Sequence, residues 1–156
     1  MADQKKLLNR LTNKALKLLS YRPRSIHEIK TRLQRLPASP KLIQQVIDNL
    51  IDQDLLNDQT FASWWVEQRT ISSPKGNLAI QSELKQKGLD RSLIQSILLD
   101  RQQELELAKT VALKKLSTIT HLPLLTQKQK LITLLRTRGF SFATIYSVID
   151  DLLSKA

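Results

Sequence analysis

The chain has 156 residues, with 25 Lys and Arg against 14 Asp and Glu for a formal charge of +11, no Cys and only three Gly. Without cysteine there is no disulfide framework, thiolate nucleophile or Cys-based zinc site, three glycines leave no Gly-rich phosphate loop, and apolar runs of a few residues do not span a membrane. The opening Met1-Ala2-Asp3-Gln4-Lys5-Lys6 lacks the apolar stretch of a signal peptide, so a soluble cytoplasmic protein is expected.

Apolar residues recur at helical spacing along almost the whole chain, and no segment alternates at period two. Leu7, Leu8, Leu11, Ala15, Leu18 and Leu19 predict a first helix that Tyr21-Arg22-Pro23-Arg24 interrupts. Ser25-x-x-Glu28 is a capping box opening a second helix with Ile26, Ile29 and Leu33, which stops at Pro37. Ser39-Pro40 starts a third, whose buried face is Leu42, Ile43, Val46, Ile47 and Leu50. The succession then returns. Asp58 is the predicted cap of a helix with Phe61, Ala62, Trp65 and Val66, broken at Ser73-Pro74-Lys75-Gly76. Ile80 and Leu84 line the next, ended by Gly88, and Asp90 caps one with Leu93, Ile94, Ile97 and Leu98. The third round starts near Arg101 with Leu105, Ala108, Val111, Ala112 and Leu116. It continues from a predicted Thr126-x-x-Gln129 capping box through Leu131, Leu134 and Leu135 to Gly139, and ends in a helix capped by Ser141.

These rounds superpose without gaps at a period of 51 residues: Ile29, Ile80 and Leu131; Leu33, Leu84 and Leu135; Ile43, Ile94 and Ile145; and, at the stop, Pro37, Gly88 and Gly139. The fold class predicted is all-α, a tandem array of three three-helix repeats over 1–56, 57–103 and 104–156, elongated and curved. The charge is uneven over these segments, at +6, +1 and +4, and up to Lys41 eleven basic residues face only Asp3 and Glu28. A cationic end of this kind draws anionic partners.

The ordered set of motifs resembles the RecX family of regulators of the RecA recombinase. The resemblance runs from about residue 14 to the C-terminus. It rests on Leu18-Leu19, Arg22-Pro23-Arg24-Ser25 and Glu28-Ile29, then on Leu55-Leu56-Asn57-Asp58, Phe61-Ala62, Trp65-Val66 and Arg69. Lys75-Gly76, Ile80, Glu83-Leu84-Lys85-Gln86-Lys87-Gly88-Leu89 and Arg138-Gly139-Phe140 complete it. Three positions depart from the family: Asp54 stands where glycine usually precedes the Leu-Leu turn, Ala79 where a basic residue commonly precedes Ile80, and Pro37-Ala38 where the first unit usually ends on Lys-Gly-Phe. The resemblance implies a partner, RecA polymerised on single-stranded DNA with ATP, and an effect, inhibition of recombinase and co-protease activity. A monomer without cofactor is expected. The alternative is a direct DNA-binding protein using helix–turn–helix steps such as Lys85–Ile97.

Catalysis has little to stand on. His27 and His121 are far apart in sequence with no second ligand type at metal spacing, and Asp150-Asp151 and Glu104-x-Glu106 read as solvated charges. The candidates for partner or nucleic-acid binding are Arg22 and Arg24, which flank a proline in a loop, Arg69 and Lys75 near the corresponding break, Lys85 and Lys87 before Gly88, and Arg136 and Arg138 before Gly139. Lys87 and Arg138 equally suit a helix-dipole role. Trp65, four residues after Phe61, is assigned to the core; Trp64, about 100° round the helix, is an interface anchor, a stacking platform or a residue packing against the neighbouring unit. Tyr21 and Tyr146 are read as packing residues with their hydroxyls reaching water.

Overall fold

The computed structural model describes residues 2–154, so Met1, Lys155 and Ala156, the outermost residues of the first and third predicted units, lie outside the described residues. The described residues form nine α-helices and no strand: α1 (Ala2–Tyr21), α2 (Ile26–Leu33), α3 (Pro40–Asp52), α4 (Asp58–Ile71), α5 (Asn77–Gln86), α6 (Arg91–Ile97), α7 (Arg101–Leu116), α8 (Leu124–Thr137) and α9 (Phe142–Leu153). They fall into three successive triplets, and the protein is all-α. Helices α1, α2 and α3 pack on one another, as do α7, α8 and α9. By packing the chain forms two compact bodies, and the middle triplet is divided between them. Helix α4 up to Trp64, together with Leu84–Ile94, goes with the first triplet; Trp65–Glu83 and the chain from Gln95 go with the third.

The 51-residue register is a burial register. Ile29, Ile80 and Leu131 are fully buried, as are Leu33, Leu84 and Leu135, with Ile43, Ile94 and Ile145 close behind. The phase weakens at the end of the middle triplet. Helix α6 has seven residues against thirteen in α3, and Ile97 is only half-buried where Val46 and Val148 are buried. Asp100 opens α7 three residues after α6 stops, with its carboxylate on the Gln103 amide and the Gln103 side chain returning to the Asp100 amide.

Helix ends follow local chemistry. Gly88 and Gly139 sit at φ +80° and +84°, each closing its helix with a pair of reversed bonds: Leu89 N–H to the Leu84 carbonyl and Gly88 to Lys85, then Phe140 to Leu135 and Gly139 to Arg136. Asp54 takes the same left-handed conformation at φ 56°, with Leu55 N–H on Leu50 and Asp54 N–H on Ile51. The aspartate therefore adopts the left-handed conformation that glycine takes at the other two helix ends, with the same pair of reversed bonds. The first triplet's second helix ends differently, at Leu33 rather than at the expected Pro37, through short-range bonds from Arg35 to Arg32 and Leu36 to Leu33.

Four expectations are corrected. The cap of α4 is Asn57, whose side chain accepts from the Gln59 and Thr60 amides, which leaves Asp58 for another task. Helix α8 begins at Leu124 after Pro123, so Thr126 lies inside it and opens nothing. Trp65 is half-buried because its indole N–H needs a polar partner, and it finds one in Glu83 at 2.8 Å. Tyr21, 70 % exposed, is not a packing residue, while Tyr146 is exposed and stacks on Phe142.

Candidate partner-binding site

The first cluster of candidates is built where the start of α2 meets the turn after α5. Ser25 is buried; its hydroxyl accepts from the Glu28 amide at 3.1 Å and donates to the Lys87 carbonyl at 2.8 Å. The Asp58 carboxylate accepts from the Ile26 amide at 2.8 Å, satisfying a second free donor of the same helix start. Burial pushes the Asp58 carboxyl above its ordinary value, and the Ile26 bond only partly offsets that. Gly88 lies against His27 so closely that an added Cβ would sit 2.5 Å from the His27 Cβ.

Glu28 organises the charges there. Besides closing the capping box, it takes the Arg22 guanidinium at 2.5 Å and the Lys87 ammonium at 3.4 Å. Burial favours the neutral acid. The hydrogen bond from Arg22, the Ser25 amide and the charges of Arg22 and Lys87 outweigh it and hold the carboxyl below the usual range. Arg22 also donates to the Pro23 carbonyl at 2.7 Å, and its guanidinium stands 5.8 Å from the Trp64 ring centre. Arg24 donates from Nε to the Leu18 carbonyl. Four of the predicted residues, Arg22, Arg24, Lys87 and Trp64, thus share one neighbourhood.

A second cluster stands around Glu83. Its carboxylate accepts from Trp65 Nε1 at 2.8 Å, Arg69 Nε at 2.8 Å and Lys75 Nζ at 2.6 Å, and the Arg69 guanidinium covers the Trp65 ring at 4.8 Å. Burial again raises the carboxyl, and the bonds from Lys75, Arg69 and Trp65 bring it below its ordinary value. Arg69 and Lys75 come together as the sequence suggests. The remaining candidates are dispersed: Arg138 donates to the Pro74 carbonyl at 3.1 Å, Arg136 lies over Phe142 at 5.5 Å, and Lys85 is exposed in the last turn of α5.

The start of α5 repeats the device found at α2. Gly76 and Leu78 donate backbone N–H bonds to the Arg138 and Gly139 carbonyls, and Glu104 accepts from the Asn77 amide at 2.8 Å as Asp58 does from Ile26. Glu104 is 6 % exposed and also accepts from the Thr144 hydroxyl, so its reading as a solvated charge is overturned. The sequence reading also missed Glu28 and Glu83 as organisers. Their signal was present in Arg-Pro-Arg-Ser-x-x-Glu and in the two cations preceding Glu83. Among the described residues no group of three or more His, Asp or Glu is placed to hold a metal ion, and no helix is long and apolar enough to cross a membrane. Each cluster holds two cationic side chains against one carboxylate.

Comparison with known proteins agrees in order and extent. Models of the first, second and third three-helix domains of RecX match residues 12–50, 57–98 and 102–149. The chain is 35 % identical over 143 residues to the regulatory protein RecX of Bacillus subtilis and 29 % identical over 143 residues to that of Leuconostoc mesenteroides, covering 90 % of this chain and 54 % of each relative. It therefore spans about half the length of these curated relatives. The crystal structure of RecX from Lactobacillus salivarius is matched with a TM-score of 0.85 at 30 % identity, over 97 % of this chain and 98 % of that one. With all three of the family's domains present in sequence and the family's fold reproduced along the chain, this protein belongs to the RecX family of regulatory proteins.

Proposed function

We propose that this protein binds RecA polymerised on single-stranded DNA and inhibits its recombinase, ATPase and co-protease activities without chemistry of its own. The observation that supports this reading most is the complete, ordered set of three RecX domains. The cationic clusters around Glu28 and Glu83 add to it, since their side chains are held in place before any partner arrives and less ordering is left to oppose binding. A ligand that prefers one state of a polymer shifts its assembly by that difference in affinity alone. The same reading takes 1–56, 57–103 and 104–156 as the repeating units of a cytoplasmic monomer.

The test is RecA ATP turnover and filament length on single-stranded DNA with substoichiometric protein. Slower turnover and shorter filaments are expected; unchanged values at excess protein overturn the proposal. Replacing Arg22→Glu and Arg24→Glu together weakens filament binding by about tenfold or more, with helix content by circular dichroism unchanged. Inhibition equal to the parent's removes these arginines from the contact. Affinity for naked DNA that falls steeply with salt, with no requirement for RecA, would instead establish direct phosphate binding as the activity.

A further inference from the structure

A cleft of about 240 Å³ opens in the first body beside the α2 start. Arg24, Arg32 and Lys87 line it together with His27 and Thr31, over a floor of Leu18 and Ile29, and Glu28 contributes a carboxylate that Arg22 and Lys87 already engage. Positive charge there exceeds negative. The crowding is held at a cost, because burial and then the charges of Arg22 and Arg32 make it harder for Arg24 to carry its own, with Glu28 acting the other way. An anion seated among these groups relieves that repulsion, in a partly desolvated setting where the attraction is stronger than at an open surface.

Size and donor geometry narrow the ligand. The cleft is smaller than the roughly 300–1,000 Å³ of pockets that enclose whole drug-sized molecules, yet several times the roughly 30 Å³ of a water. It suits one compact anionic group. Two guanidinium groups, an ammonium and a hydroxyl line it from α2, the loop before it and the turn after α5, a donor set that serves an anion with oxygens on several sides better than a flat carboxylate. No Phe, Tyr or Trp lines the cleft to stack a base. We propose that the cleft bounded by Arg24, Arg32 and Lys87 is a binding site for a phosphoryl group, taken without preference for any attached base, whether free or on a DNA strand.

The test is an amide-resonance titration of the full chain with inorganic phosphate at ionic strength held constant with chloride. Saturable shifts at His27, Thr31 and Lys87 are expected. Arg24→Gln and Arg32→Gln each weaken the apparent affinity about tenfold, whereas Glu28→Gln, which keeps a capping side chain but removes the competing charge, tightens it several-fold. Two further arms separate the sources. If 5′-phosphorylated oligothymidylate alone reproduces the shifts, the group is a terminal monoester; if unphosphorylated oligothymidylate does so too, a backbone diester suffices, and both support the site. Absence of saturable shifts, or shifts unaltered in both arginine variants, overturns it. No RecA is present, so failure here leaves the proposed regulatory function standing.

Discussion

The helix start at α2 and the helix start at α5 are the same device built twice, one from side chains and one from backbone. At the first, Ser25 reaches the turn with its hydroxyl, and Asp58 takes the Ile26 amide. At the second, Gly76 has no side chain and uses its own N–H, and Glu104 takes the Asn77 amide. The room available decides between them. An added Cβ on Gly76 would come within 2.6 Å of the Gly139 carbonyl oxygen, so the second junction is closed too tightly for serine. The charges diverge as well. Position 28 is a glutamate that gathers Arg22 and Lys87, whereas its equivalent 51 residues on is Ala79, and Arg138 turns to the Pro74 carbonyl. One junction is tied by charged side chains; the other is defined by close backbone packing around Gly76 and Gly139.

That contrast is sharpest at the two glycines. Gly139→Ala places a Cβ 2.6 Å from the Ala79 amide nitrogen and 2.9 Å from its Cα, in a left-handed conformation. Overpacking against backbone and the conformational strain together cost about 3 kcal/mol or more in urea unfolding. At Gly88 the atoms nearest an added Cβ belong to the side chain of exposed His27, and Gly88→Ala costs about 2 kcal/mol. Equal losses would dissolve the distinction.

The carboxyls come next. Glu104→Ala strands two donors, the half-buried Asn77 amide and the buried Thr144 hydroxyl, for about 2–4 kcal/mol. Asp58→Ala strands one half-buried amide, for about 1–2 kcal/mol. Thermal and urea unfolding of the two variants rank them. The order reverses only if Asp58 is the more deeply engaged group.

Acid separates these carboxyls by the sign of their shifts. Glu28 and Glu83 have folded-state values below their unfolded ones, so their stabilisation is present above about pH 4.3 and is lost as pH falls through the lowered folded values. Asp58 has the opposite sign: its folded value is raised, so its ionisation opposes folding at neutral pH and protonation relieves that as pH falls. In unfolding curves from pH 6 to 3, Glu28→Gln flattens the acid limb and Asp58→Asn steepens it. The smallest effect is a gain. Asp54→Gly relieves a non-glycine residue at φ 56° and raises stability by about 0.5–1 kcal/mol in urea.

What was legible in the sequence is what is local. Ser25, Ser39 and Ser141 announced their helices within one turn, and Gly88 and Gly139 announced their ends, because a cap and its partners lie three or four residues apart. Asp58 was assigned to the helix it begins because Asn57 and Asp58 both suit a cap; the choice turns on Ile26, 32 residues earlier. Glu104 resembled a solvated charge because its partners are 27 and 40 residues away. Arg22 and Glu28 are six apart across a proline turn, outside the helical spacings that mark an ion pair in advance. Grouping of Arg22, Arg24 and Lys87 was similarly hidden, since the turn that carries Lys87 reaches α2 only by folding.

The Glu104 carboxyl bears on motion. One side chain on α7 fastens the first amide of α5 and a hydroxyl of α9, so none of these three elements can swing outward without breaking a hydrogen bond to that carboxylate.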